Sequence, residues 1–237
     1  MERLQRNAKW QLDYSYSLLE TKAYISIPSL NTHSLQIHID DLLNEYDLMQ
    51  SDILCLQETH SNNSMLLKRL ETFNCISNHS KHGFLIFIKK HINILNHIHF
   101  EEKNIEATLA NLLLHDMDII AVNVYVAPYA TLNNTLDLLS KALCKIHSNQ
   151  TIAIVGDFNI NMLGSNNKIN KLRSYMHNYN LHFILDTNNN QQISIIDHIW
   201  SNITCSYKTL TLDTYWRDHD TFCLIIEDKN ETQTQCK

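Results

Sequence analysis

Thr151-Ile-Ala-Ile-Val-Gly-Asp-Phe-Asn159 is an apolar, β-branched run that closes on a glycine and then delivers an aspartate and an asparagine. Such a run reads as an interior strand ended by a turn, and polar side chains two positions apart leave its end on the same side. Asp and Asn in that place are also ordinary turn formers and helix caps. One carboxylate and one amide at a strand end equally suit metal-dependent phosphate chemistry, since strand-end loops commonly carry sites. Three more clusters raise that second possibility. They are Leu56-Gln57-Glu58-Thr59 after Ser51-Asp-Ile-Leu-Cys, Asp197-His198 inside Ile195-Ile-Asp-His-Ile-Trp200, and Asp218-His219-Asp220 before Thr221-Phe-Cys-Leu-Ile-Ile226. A buried strand does not admit charge without a compensating reason.

Working outward, Ala23-Tyr-Ile-Ser-Ile-Pro-Ser-Leu30 alternates like a strand, with Pro28 marking an edge or an exit. Residues 37 to 49 carry Leu42, Leu43, Tyr46 and Leu48 at helical spacing. Gly83–Ile88, Ala107–Leu114 and Met117–Tyr125 read as consecutive strands joined by polar turns, which makes the middle of the chain largely antiparallel. Leu132–Ile146 is an amphipathic helix ahead of the Asp157 strand, and Ile169–Tyr179 is another. Asn188-Asn-Asn-Gln-Gln192 reads as a solvated loop. Many strands with helices interspersed predict an α/β fold of the α+β type, with sheets packed together and helices on their outer faces.

A chain of 237 residues that is 44% hydrophobic can bury a substantial core as one domain. That domain is expected over residues 22–237, behind a polar extension at 1–21. The formal charge of −6 excludes a broadly basic surface, so a nucleic-acid partner would be met by local Lys and Arg. A carboxylate metal site suits that balance, because the cation brings positive charge to where phosphate sits. The six cysteines show no CxxC spacing, and Cys55 and Cys223 lie in apolar runs, so neither a zinc site nor a disulfide framework is indicated. No apolar run approaches membrane-spanning length and no signal-peptide pattern opens the chain; the expected compartment is intracellular and the membrane is not an expected partner.

Asn31, Gln57-Glu58-Thr59, Tyr125, Gly156-Asp-Phe-Asn159, Ile196-Asp-His198 and Asp218-His219, taken in order, resemble the motif series of the endonuclease/exonuclease/phosphatase superfamily. The resemblance runs from about Ala23 to Ile226, and its specificity lies in the ordered set. It implies a four-layer sandwich of two mixed, mainly antiparallel sheets flanked by helices, with the active site where strand-end loops converge. It further implies that Glu58 binds magnesium, with manganese as a substitute, with Asn31 nearby and Asp218 supporting the metal or water network; an oxygen-rich set suits a hard cation. Asp157 would position or deprotonate the attacking water and Asn159 would hold the phosphate or that water. His219 would contact the scissile phosphate with Asp197 orienting its ring, and Tyr125 would donate to a phosphate oxygen.

Each residue also has a structural explanation. Tyr125 fits a packed strand aromatic, Asn31 an Asx turn or a helix cap, and Trp216 packing. His198, next to Asp197 on a strand, points the opposite way and is structural. Abasic-site repair enzymes of the superfamily carry an acidic residue two positions after the first-strand Asn, where this chain has His33. The strings around Asn31, Glu58 and Asp197 look more like endonuclease domains of retrotransposons and helicase-bearing mobile elements. Arg217 stands where many members have Ser before the Asp-His pair, either as a phosphate contact or as drift. The function implied is a magnesium-dependent DNA endonuclease, nuclear and monomeric, nicking double-stranded DNA from within a larger polyprotein with a polymerase or helicase. The alternatives are a phosphodiesterase or phosphatase acting on RNA, a nucleotide, or an inositol or lipid phosphate, and a decayed nucleic-acid-binding module.

Overall fold

The computed structural model describes residues 24–60, 68–78, 80–114, 117–147, 150–185, 194–212, 214, 216 and 221–227. The extension at 1–21, the 188–192 loop, Arg217, Asp218, His219 and Asp220 lie outside the described residues. Two six-stranded mixed sheets stack on one another. The first has the order β11 (Tyr207–Leu212), β12 (Thr221–Glu227), β1 (Tyr24–Asn31), β2 (Ile53–Gln57), β4 (Phe84–Lys89), β3 (Phe73–Asn78). The second runs β5 (Asn93–Glu102), β6 (Ile105–Leu114), β7 (Met117–Val126), β8 (Thr151–Asp157), β10 (Asp197–Ser201), β9 (His182–Ile184). Each sheet has one parallel pair at its centre, β1 with β2 and β7 with β8, and is otherwise antiparallel.

Three apolar layers hold this together, and strand alternation assigns side chains to them. Ile53 and Cys55 face inward onto Ala121, Ala153 and Val155 of the other sheet. Their neighbours Leu54 and Leu56 face outward onto α1 (Leu35–Asn44) and α2 (Tyr46–Gln50). On the opposite outer face Ile120, Val122 and Val124 pack against α3 (Leu132–Leu143) and α4 (Asn167–His177). Thr131 and Asn166 cap these two helices by accepting from the backbone N–H of Asn134 and Ile169. Helix, sheet, sheet, helix is the four-layer sandwich expected. Among the described residues no helix is long and apolar enough to cross a membrane, and no two cysteines are joined in a disulfide.

Three expectations need correction. Pro28 does not mark an edge, because β1 is interior between β12 and β2. The β2 ladder begins only at Ser29, and upstream of Pro28 the Asp52 carboxylate takes the Ser26 N–H and hydroxyl, each at 2.9 Å. The proline thus sits where no partner N–H is required. The helix of residues 37 to 49 is two helices, broken at Glu45 by extended backbone (φ −81°, ψ 91°). The strand at Phe84–Lys89 pairs with β2 and β3 rather than with the following strands, and the chain crosses to the second sheet at β5, which composition hid.

Candidate active site

Strand register brings the polar clusters to one end of the sandwich. In the second sheet Tyr125 lies beside Asp157 in the parallel ladder and Asp157 lies opposite Asp197 in the antiparallel one, so three adjacent strands present them in a row. In the first sheet Asn31 is level with Gln57, immediately before Glu58. The two rows meet through Asn31, whose Nδ2 donates to Asp157 Oδ2 at 3.0 Å and which also hydrogen-bonds Glu58. One buried amide therefore bridges the carboxylates contributed by opposite sheets.

Beneath this contact the sheets are tied by a second polar link. Gln57 Nε2 donates to Asn123 Oδ1 at 2.5 Å and to Ser29 Oγ at 3.0 Å, while Asn123 Nδ2 donates to the Leu56 carbonyl at 3.1 Å. All three side chains are buried, and their mutual bonds tie the two sheets in one register, with the Gln57 Oε1 alone of the link left without a partner among the described residues.

The loops that follow are held in conformations most side chains avoid. His33 (φ 46°), Glu58 (φ 47°), His60 (φ 43°) and Asn159 (φ 48°) are all left-handed. Such strain, of order 1–3 kcal/mol per residue, persists where the surroundings over-determine it and clusters at functional sites. Here the surroundings are identifiable. Thr59 N donates to the Gly83 carbonyl at 3.2 Å and His60 N to the His82 carbonyl at 3.1 Å. A Cβ on Gly83 would sit 2.6 Å from His60 N, so only glycine lets the loop close there. Asn159 is fixed by its N–H to Asp157 Oδ1 (2.9 Å) and its Nδ2 to the Val126 carbonyl (2.8 Å). Gly156 is needed too, since a Cβ would stand 1.9 Å from the Val124 carbonyl of the neighbouring strand.

The Glu58 carboxylate is the electrostatic centre. Burial alone would raise its pKa, but hydrogen bonds from Tyr125 and Asn31 and the nearby His33 and His60 more than offset this and hold it below the ordinary value. Tyr125 is buried, and burial together with its bond to Glu58 and the Asp157 charge pushes its pKa far up, so it remains a donor. His33 Nδ1 stands 3.1 Å and His60 Nε2 3.8 Å from Glu58 Oε2. Behind Tyr125, the His82 ring lies 4.9 Å away, placed by buried Glu106, which accepts from His82 N at 3.1 Å and from Ser80 Oγ.

Of the residues singled out from sequence, Asn31, Glu58, Tyr125, Asp157, Asn159 and Asp197 come together at this end. Asn31 also makes the Asx turn, accepting from His33 N at 3.1 Å. His198 is structural: it is buried, stacks on Phe158 at 4.5 Å, bonds the Ile160 carbonyl at 2.7 Å, and burial drives its pKa down to about 3. Trp216 packs, stacking on His38 at 5.0 Å and donating to Glu45. Sequence reasoning missed His60, Glu106 and Asn123. The last two left a signal, a polar residue within an otherwise apolar strand.

Glu58, Asn31 and Asp157 provide oxygen donors of the kind a hard divalent cation takes. Among the described residues no group of three or more His, Cys, Asp or Glu side chains is set to hold an ion. A cation on Glu58 would therefore draw the rest of its shell from water and the substrate phosphate, as magnesium commonly does.

The model of the endonuclease/exonuclease/phosphatase family matches residues 28–219, and the chain belongs to that family. Its members are mostly hydrolases acting on phosphodiester bonds, and its enzymes generally use divalent metal ions. Among solved structures, the endonuclease domain of TRAS1, a telomere-specific non-LTR retrotransposon, is similar with a TM-score of 0.67 at 13% identity, covering 86% of this chain and 98% of that one. A humanized D. rerio TDP2 gives 0.62 at 13% identity, covering 86% and 99%. The human Nocturnin catalytic domain gives 0.62 at 15% identity, covering 86% and 93%. At these identities the likeness is one of fold. No curated protein sequence matches the chain.

Proposed function

We propose that this chain is a divalent-cation-dependent phosphodiesterase that nicks DNA. The observation that carries this is the bridging of Glu58 and Asp157 by the Asn31 amide at the end of the sandwich where both sheets deliver their polar residues. Similarity to the retrotransposon endonuclease domain, and to a D. rerio TDP2 solved with a single-strand DNA product, favours a nucleic-acid substrate.

Hydrolysis of a phosphodiester requires an activated water, charge stabilisation and help for the leaving oxygen. Asp157, buried and held through both oxygens by Asn31 and Asn159 N–H, accepts the proton of the attacking water. Asn159, locked by its two bonds, holds the water or the phosphate against that carboxylate. Tyr125 keeps its proton and donates either to Glu58 or to a phosphate oxygen. Glu58, with Asn31 and Asp218, would hold the cation, which supplies positive charge for the phosphate. By the resemblance, His219 would contact the scissile phosphate, Asp197 would orient its ring and Arg217 would serve as a phosphate contact.

The test is nicking of supercoiled plasmid in magnesium or manganese, comparing the native chain with Asp157→Asn, Glu58→Gln and His219→Ala. EDTA-sensitive nicking lost in all three variants is the expected result. Turnover of a small phosphoester without plasmid nicking would replace DNA as the substrate. Absence of both would overturn the assignment.

A further inference from the structure

The rim of the site on the side of the second sheet carries a charge that the net balance of the chain does not foretell. Register places the β5–β6 turn there, because Ile105 pairs with Val126 and Glu106 with Tyr125. That turn is Lys103-Asn104, both left-handed (φ 48° and 66°), the two-residue hairpin geometry that holds its ends in a fixed relation. The Asn104 carbonyl accepts from Ala127 N at 3.1 Å and the Val126 carbonyl from Asn159 Nδ2, so the turn and the Asn159 loop are joined through two consecutive residues. Helices α3 and α4 begin at this end too, after β7 and β8, and neither has an acidic residue in its first turn.

Three exposed lysines line this rim, and an amide oxygen holds each of them. Lys81 Nζ donates to Asn104 Oδ1 at 3.2 Å, Lys103 Nζ to Asn134 Oδ1 at 3.4 Å and Lys171 Nζ to Asn133 Oδ1 at 2.7 Å. As Lys103 adjoins Asn104 and Asn133 adjoins Asn134, the contacts form one continuous series from Lys81 to Lys171, with exposed Lys168 one turn earlier on α4. A neutral amide takes one of the three donors of an ammonium and none of its charge. Glu102 stands 3.9 Å from Lys103 but also pairs with Lys141, so one carboxylate is divided between two ammoniums. Positive charge gathered in this way on a chain of net charge −6 suits an anionic partner.

Tyr129 stands on the same rim. Ala130 N donates to the Ala127 carbonyl at 2.9 Å, closing a β-turn with Pro128 at its first corner and Tyr129 at its second. The Tyr129 side chain is exposed (65%), and it is near enough to Tyr125 to help raise the pKa of that residue. A firmly presented aromatic ring beside a row of cations is the combination that holds single-stranded nucleic acid, with phosphates on the cations and a base on the ring; in a duplex the base faces are taken by their stacked neighbours. We propose that Lys81, Lys103, Lys168, Lys171 and Tyr129 form a track for single-stranded DNA leading to the site, with an unpaired base stacked on Tyr129. This deepens the proposed function and rests on its reading of DNA as the substrate.

The test is fluorescence anisotropy of a labelled deoxythymidine oligomer and of a hairpin duplex of equal length, titrated with the protein in EDTA over a series of salt concentrations. The native chain should bind the single strand more tightly than the duplex. Lys81→Gln, Lys103→Gln and Lys171→Gln combined should lower the slope of log K against log salt by about 2, at about 0.7 per phosphate contact on a single strand. Tyr129→Ala should weaken single-strand binding about fivefold or more and leave the duplex nearly unchanged. Lys208→Gln, which removes a charge paired with Glu227 at the far end of the first sheet, should leave the slope as it was. Tighter binding of the duplex by the native chain, an unchanged slope in the triple variant, or equal losses on both ligands for Tyr129→Ala would overturn the track. Plasmid nicking by a native chain whose binding ignores these residues would sink the track alone. Single-strand binding that depends on them, without nicking or phosphoester turnover, would uphold the track and overturn the proposed function.

Discussion

Replacing Asn31 by Asp tests the bridge between the sheets most directly. The amide Nδ2 stands 3.0 Å from Asp157 Oδ2 and also bonds Glu58, so Asn31→Asp removes a donor shared by two carboxylates and inserts a third carboxylate between them. Two like charges at that distance repel by about 5–6 kcal/mol at an effective dielectric of about 20. Taking up a proton is cheaper: neutralising a carboxyl of ordinary acidity at pH 7 costs about 4 kcal/mol. The variant should follow the cheaper course and lose about 4 kcal/mol of stability at pH 7 when free of metal. A carboxyl whose folded pKa is raised carries its full penalty above that pKa, and the penalty shrinks as pH falls. The deficit should therefore decline by about 1.4 kcal/mol per pH unit and stand near 1 kcal/mol at pH 5. Urea unfolding in EDTA, followed by tryptophan fluorescence at pH 7 and pH 5, measures it, with Asn31→Leu as the control that removes the shared donor without adding a carboxyl and whose deficit should change less between the two pH values. An Asn31→Asp protein within 1 kcal/mol of native at pH 7, or a deficit equal at both pH values, would refute the bridging geometry.

Gly156→Ala places a Cβ 1.9 Å from the Val124 carbonyl and should cost about 3 kcal/mol or more, visible as a lower urea midpoint; an unchanged midpoint would contradict the close approach of β7 and β8. Tyr125→Phe removes a hydrogen bond that helps depress the Glu58 pKa, so that pKa should rise in a carbon-detected NMR titration. Because a depressed carboxyl stabilises the fold above its unfolded pKa, the variant should lose stability at pH 7 and little at pH 3; equal losses at both would count against the bond. His198, buried and neutral with a pKa pushed down to about 3, must gain a proton on unfolding below its unfolded value. It should contribute a stability loss of about 1.4 kcal/mol per pH unit between pH 6 and 4, a slope that His198→Phe should remove and that would be wrongly assigned if it persisted.

What could be read from sequence was what buried layers dictate. The β8 run announces itself because an interior strand needs apolar side chains on both faces, and α3 because one stripe of leucines must meet a sheet. The β5 strand was invisible since it is an edge, half exposed, with Asn93, Asn96 and His97 spoiling any alternation. The break at Glu45 has no signature residue, as both sides of it bury leucines on the same face. The polar residues at the site were findable because charge at the end of an apolar run is anomalous. Which of them touch was not, because Asn31 and Asp157 are 126 positions apart and their contact is a property of how two sheets stack. His60 escaped for the same reason: its place beside Glu58 depends on a left-handed turn clamped by Gly83.

The division of the chain between sheets has a consequence for synthesis. Strands β5 to β10 form the second sheet without interruption, whereas the first sheet is begun by β1 to β4 and finished by β11 and β12. As β12 pairs directly with β1, the strand carrying Asn31 has an unpaired flank until residues 221–227 have left the ribosome. A nascent chain therefore carries Glu58 and Asp157 before β12 is available to complete the pairing of the strand that bears Asn31, whose amide spans the two carboxylates.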